Sequence, residues 1–259
     1  ALEAETAFPA LGRLERRHGS LLRGALAARR RTGTRPSLHV VEGGIARLAE
    51  AIAADLGGAW RPSWPVERLE RAGEAWRITG PDVLEADRVV AAVPPEELAR
   101  IHPSLAPAVD AADWAPVAVV WLGLDGDLPP GFGTLVGPDE GFATLGFLYE
   151  SSYAPHRAPP GRGLVKAIVG GATAPGVVDA DDAALVERVT LELGRVLGSD
   201  PVPEFSHVVR HRPGIPQYTP ARSRMVELLR RSLPGGLEVA GWAYDGVGVA
   251  RLAARAAQL

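Results

Sequence analysis

No cysteine occurs among the 259 residues, which excludes disulfides, thiolate metal sites and cysteine nucleophiles together and leaves the redox compartment open. Any redox chemistry must come from a cofactor. Long apolar runs are missing too, since Gly, Pro or a charge interrupts every stretch well short of the ~18 residues a spanning helix needs. Nor does one sign of charge dominate. A net charge of -3 and an isoelectric point near 6.1 supply no global basic field, so a nucleic-acid partner is not expected. The chain opens on Ala1 with no basic-then-apolar leader ahead of its first periodic segment, an arrangement expected of a processed product, a cropped chain or a fragment.

What is present is a globular composition. With 46% apolar residues the chain can bury the core of one large domain or two modest ones. Its 23 prolines are spread through connections, which points to a compact fold with many turns. From Phe8 to Arg31, Leu11, Leu14, His18, Leu21 and Leu22 recur at helical spacing and predict one opening helix. Its polar side is basic: residues 1–37 hold eight Arg against three Glu. Arg29-Arg30-Arg31 is a solvated run, or else a patch for acidic lipid or a carboxylate-bearing ligand. His18, His156 and His211 lack ligand spacing, and no metal is expected.

A short strand is predicted over 38–41, and Gly43-Gly44 turns into a helix over 45–56. Strands over 64–69, 75–79 and 87–93 read as a small meander, followed by a helix over 96–101. Further strands are predicted over 117–122, 134–136, 144–149 and 164–169. An amphipathic helix over 181–197 begins at the Asp181-Asp182 cap. A strand over 205–211, a helix over 221–232 and a buried strand over 237–240 complete the pattern, in an α+β order. Domain changes are placed at 37/38, 107/108 and 212/213.

The segment after that last strand carries the most chemistry. Gly241-Trp242-Ala243-Tyr244-Asp245-Gly246-Val247-Gly248-Val249 leads into a helix expected from Ala250. Glycine lets backbone approach a ligand closely, and a helix N-terminus offers N–H groups and partial positive charge to an electron-rich edge. A tight turn without a ligand fits the same residues, and Gly-x-Gly alone does not decide between them.

In its full order the chain resembles the protoporphyrinogen oxidases of the flavin amine oxidase superfamily. The resemblance runs through Phe8-Pro9, His18-Gly19-Ser20-Leu21 and Gly43-Gly44, then Phe132-Gly133-Thr134-Leu135-Val136 and Leu145-Gly146-Phe147-Leu148-Tyr149-Glu150-Ser151. It continues with Pro155, Arg157, Pro159 and Gly161, then Val169-Gly170-Gly171, Ile215-Pro216-Gln217-Tyr218 and the Gly-Val-Gly-Val turn. It implies an α/β (α+β) chain: an incomplete FAD/NAD(P)-binding domain over 38–107 and 213–259, an inserted mixed-sheet substrate domain over 108–212, and a helical segment over 1–37. Val66, in the first meander strand, is implied at the adenine of FAD. Gly241, Tyr244, Gly246, Val247, Gly248 and Val249 are implied at the flavin. Phe132, Gly133 and Leu135, with Ile168 opposite, are implied as walls sandwiching a flat tetrapyrrole, whose propionates would need cations from the basic opening helix.

The implied reaction is FAD-dependent oxidation of protoporphyrinogen or coproporphyrinogen by molecular oxygen in haem biosynthesis, with no residue singled out as catalytic. A cytoplasmic location with peripheral contact at the inner face of the membrane goes with it. The chain departs from the family where Ala250-Arg251-Leu252 follow the turn, and it holds no strand–Gly-x-Gly-x-x-Gly–helix unit for the pyrophosphate. Weak FAD binding by the chain alone and an N-terminal partner segment are therefore expected. The alternatives are a non-catalytic tetrapyrrole-binding scaffold or another member of the superfamily, such as an amine oxidase or carotenoid desaturase.

Overall fold

A computed structural model describes residues 9–32, 39–109 and 113–259. The opening segment forms two helices rather than the single one expected, α1 (Pro9–His18) and α2 (Leu21–Thr32). Gly19 takes φ 68° and its N–H closes on the Glu15 carbonyl at 2.7 Å, a left-handed stop that ends α1. A Cβ at Gly24 would lie 2.3 Å from Leu14 Cγ, so the two helices pack closely because that residue has no side chain. The next helix, α3 (Ala46–Leu56), follows the Gly43-Gly44 turn as predicted. Of the strand expected over 38–41, Leu38 lies outside the described residues and His39–Val41 form none.

The described residues fall into two compact units, one drawn from 1–37, 57–113 and 216–259, the other from 38–56 and 114–215. In the first, β1 (Arg68–Ala72), β2 (Ala75–Thr79) and β3 (Val83–Ala86) form an antiparallel meander. Pairing starts four residues later than predicted: Pro65 has no N–H for a ladder, and the Trp64 indole donates instead to Asp82 at 2.5 Å. The third strand is also not the one expected. β4 (Val89–Ala91) leaves the meander and pairs in parallel with β10 (Leu237–Val239), residue 89 against 237. Trp76 is fully buried, meets His102 edge-on at 5.5 Å and donates its indole N–H to the Gly235 carbonyl at 3.2 Å. Leu69, Leu98 and Leu105 are buried in the same unit, Leu98 on α4 (Pro95–Ile101).

The second unit is a five-stranded sheet in the order β6-β7-β8-β5-β9. Its strands are β5 (Trp114–Asp125), β6 (Gly133–Leu135), β7 (Thr144–Tyr149), β8 (Arg162–Gly170) and β9 (Pro203–Pro216). β6 pairs antiparallel with β7, β7 with β8 and β8 with β5. Side chains alternate across a sheet, and the register puts Val120, Leu122, Phe147, Val165 and Ala167 on one face, all buried. Helix α5 (Glu150–Tyr153) continues from β7, and α6 (Asp182–Leu197) covers that face with Leu185, Val189 and Leu193. Asp181 caps α6 as predicted, accepting from the Ala184 N–H at 2.8 Å. From the middle of α6 the Glu192 carboxylate accepts the N–H groups of Ala143 (2.9 Å) and Thr144 (3.0 Å), tying the helix to the start of β7.

Candidate functional site

The residues singled out lie on two surfaces, one in each unit. In the first unit, α7 (Pro220–Ser232) precedes β10, and α8 (Trp242–Asp245) and α9 (Val249–Ala256) follow it. Helix α8 is held by polar side chains aimed at its backbone. The buried Arg222 of α7 donates to the carbonyls of Trp242 and Ala243, and the Tyr218 hydroxyl donates to Trp242 O at 3.0 Å. Asp245 accepts the Gly241 N–H at 2.9 Å and pairs with Arg230 at 2.6 Å. Burial pushes the Arg222 guanidinium below and the Tyr218 phenol above their ordinary values. The Tyr244 phenol is buried, donates to Val93 O at 2.7 Å, and is pushed up by that burial and by the Glu96 carboxylate.

Beyond this clamp, Gly246 (φ 96°) and Gly248 (φ 112°) flank Val247, and Val247 and Val249 are more than half exposed. Other side chains rarely adopt either backbone angle. The first intrahelical bonds of α9 run from Arg251 and Leu252 to the Gly248 carbonyl, each 3.1 Å. The N–H groups of Val249 and Ala250 therefore precede the helical ladder and have no acceptor within it. Among the described residues, no atom outside Gly248 and its chain neighbours lies within 4 Å of where its Cβ would stand. Open N–H donors, a helix N-terminus and two exposed valines fit the edge of a flat, electron-rich ring such as a flavin. Arg251, noted as a departure from the family, folds back so that its guanidinium lies 3.2 Å from the Cβ position of Gly246.

Val66 stands two residues ahead of β1 rather than within the first strand, and its carbonyl accepts from Arg100 Nη2 at 3.3 Å. It thus reaches the far end of the segment whose start, Val93, holds Tyr244. The structure links Val66 to the clamp through α4.

In the second unit, Gly133, Leu135 and Ile168 share the sheet face turned away from α6. Leu135 pairs with Gly146, Gly146 with Ile168, and Ile168 with Val119, so these residues form one row across four strands. Ile168 is therefore not opposite Leu135, as expected, but beside it on the same floor, two strand spacings (about 10 Å) away. Strand register, which motif order does not carry, decides this. Gly133 is obligatory, because a Cβ there would lie 2.1 Å from the Phe147 carbonyl. Leu135 is 92% exposed, and the half-exposed Phe132 stacks on Tyr153 at 4.6 Å.

A charged cluster that the residue pattern did not single out borders this floor. The carboxylate of Glu150 is fully buried and paired with Arg157 and, at 2.5 Å, with Lys166 Nζ. Lys166 pairs across the strands with Leu148 and Trp121, and its ammonium lies 5.1 Å from the Trp121 ring centroid. Burial, then the nearby Arg157, lowers the Lys166 ammonium from the usual lysine value. One signal was available: Lys166 is the sole lysine beside 27 arginines, and it stands inside an apolar strand.

Comparison with known proteins gives the family and the fold. The profile of the flavin containing amine oxidoreductases matches residues 1–249. The chain is 32% identical to the chloroplastic protoporphyrinogen oxidase 1 of Arabidopsis thaliana over 231 residues, covering 76% of this chain and 43% of that protein. It is 31% identical to the protoporphyrinogen oxidase of Homo sapiens over 281 residues, covering 96% of this chain and 58% of that protein. The chain thus spans about half the length of these relatives. A crystal structure of an Exiguobacterium sp. 255-15 protein described as a protoporphyrinogen oxidase superposes with a TM-score of 0.82 at 22% identity, covering 99% of this chain and 58% of that one.

Proposed function

Because the chain belongs to the flavin containing amine oxidoreductase family, we propose that it carries the substrate-facing sheet and the flavin-facing turn of an oxidase that converts protoporphyrinogen or coproporphyrinogen to the porphyrin. Molecular oxygen is the acceptor in this reading. The observation that carries it is the apolar row Leu135–Gly146–Ile168, in which Leu135 is 92% exposed and Ile168 half-buried, a floor suited to a flat macrocycle that is mostly carbon. FAD, when bound, supplies the two-electron acceptor. The residues that would hold its ring are Gly241, Tyr244 and Gly246 to Val249, with the first N–H groups of α9 at the ring edge and Val247 and Val249 excluding water. Val66 serves the adenine side.

No Gly-x-Gly-x-x-Gly unit after a strand occurs in these 259 residues, so the pyrophosphate grip is assigned to a partner segment outside them. The purified chain, titrated with protoporphyrin IX and with FAD, is expected to quench porphyrin fluorescence and to bind FAD weakly. Joined to a dinucleotide-binding segment of a relative, it is expected to turn colourless porphyrinogen into fluorescent porphyrin. Failure to bind porphyrin, or a flavin-loaded fusion that leaves the porphyrinogen unoxidised, overturns the reading. Porphyrin binding with no turnover at all favours a tetrapyrrole scaffold. Sedimentation of the same preparation with anionic vesicles reads out the peripheral membrane contact, for which the basic last turn of α1 and the exposed Leu21 and Leu22 speak.

A further inference from the structure

We propose that Lys166, held in place by Glu150, anchors a carboxylate of the ligand on the Leu135–Ile168 floor and so selects carboxylate-bearing tetrapyrroles over neutral ones. The proposal rests on the tetrapyrrole reading above and names a residue that this reading did not need. Lys166 and Ile168 are two residues apart on β8, so both face the floor about 7 Å apart along the strand. A flat ligand lying against Leu135 and Ile168 therefore brings an edge to the ammonium.

The charges do not cancel. Two cations, Arg157 and Lys166, meet one buried carboxylate, Glu150, which leaves the cluster one positive charge in excess. Glu150 is fully buried, whereas the side chains of Arg157 and Lys166 each keep 24% exposure. The anion is thus hidden and the cations are the part a ligand can reach. An ammonium has three donors, and one contact to Glu150 leaves others for a second carboxylate. The apolar Trp121 and Leu148 beside it lower the local polarity, which strengthens a charge-assisted bond.

The test compares protoporphyrin IX with its dimethyl ester, which keeps the macrocycle and removes both charges. The whole chain is expected to bind the diacid about tenfold more tightly than the ester. Lys166→Met should abolish that preference while leaving ester affinity unchanged, and Lys166→Arg should keep most of it. Because Lys166 is the sole lysine, biosynthetic labelling with ¹³Cε-lysine marks it in the unmutated protein and keeps all three N–H donors. Its resonance should shift with the diacid more than with the ester. A Lys166→Met variant that still prefers the diacid, or a lysine resonance indifferent to it, overturns the anchor alone. If the unmutated chain binds neither compound, the tetrapyrrole reading falls and the anchor with it.

Discussion

The two faces of the five-stranded sheet use the same strands to opposite ends. Toward α6, alternate residues are Val120, Leu122, Phe147, Val165 and Ala167, all at most 1% exposed. Toward the other side, the interleaved residues are Val119, Trp121, Leu135, Gly146, Leu148, Lys166 and Ile168. That set mixes aliphatic, aromatic, charged and glycine positions, and Leu135 stands almost entirely in solvent. A core needs close packing on every side, whereas a ligand floor needs smooth apolar surface and a few placed polar groups. Residue parity along each strand thus separates the packed core from the proposed ligand floor.

Substitutions of each parity can break that separation. Leu122→Ala, on the closed face, is expected to cost about 3 kcal/mol, because a fully buried leucine loses its contacts and leaves a cavity. The urea midpoint of this unit's unfolding measures it, and porphyrin affinity of the folded protein should not change. Glu192→Ala acts where helix and sheet meet; it strips the acceptor from two buried N–H groups and should cost about 2 kcal/mol. Faster amide exchange at Ala143 and Thr144 is the specific readout. Leu135→Ala, on the open face, should change stability by less than about 0.5 kcal/mol while weakening porphyrin binding several-fold. A large stability loss there, or a large binding loss at Leu122, would erase the distinction between the faces.

Much of this was readable from the residues themselves. α6 declares itself through Leu185, Val189 and Leu193 at helical spacing behind an Asp181 cap, and the turn over 241–249 through its glycines. Strand ends were less legible, because they depend on partners: β5 runs from Trp114 to Asp125, beyond the apolar 117–122, since β8 offers a ladder as far as Asp125. The third strand of the meander is hidden for the same reason, since Val89–Ala91 takes its partner from residues 237–239. The Glu150–Lys166 pair was invisible because its members lie 16 positions apart on different elements and meet only once β7 and β8 are in register.

The parallel pairing of β4 with β10 also has a kinetic meaning. Arg88 and Glu238, at its start, are 150 positions apart and share a bond of 2.9 Å. Closing so long a loop in an open chain is slow, because its entropy is lost before any contact compensates. The intervening sheet removes most of that delay. Its first and last strands, β5 and β9, are neighbours, and the chain on either side is joined by the Gln217 N–H to the Asp113 carbonyl at 2.9 Å. Once the sheet has collapsed, residues 113 and 217 sit together and the effective loop shrinks to a few tens of residues. The sheet should therefore fold first and template the β4–β10 closure that leads into the Gly246–Val249 turn.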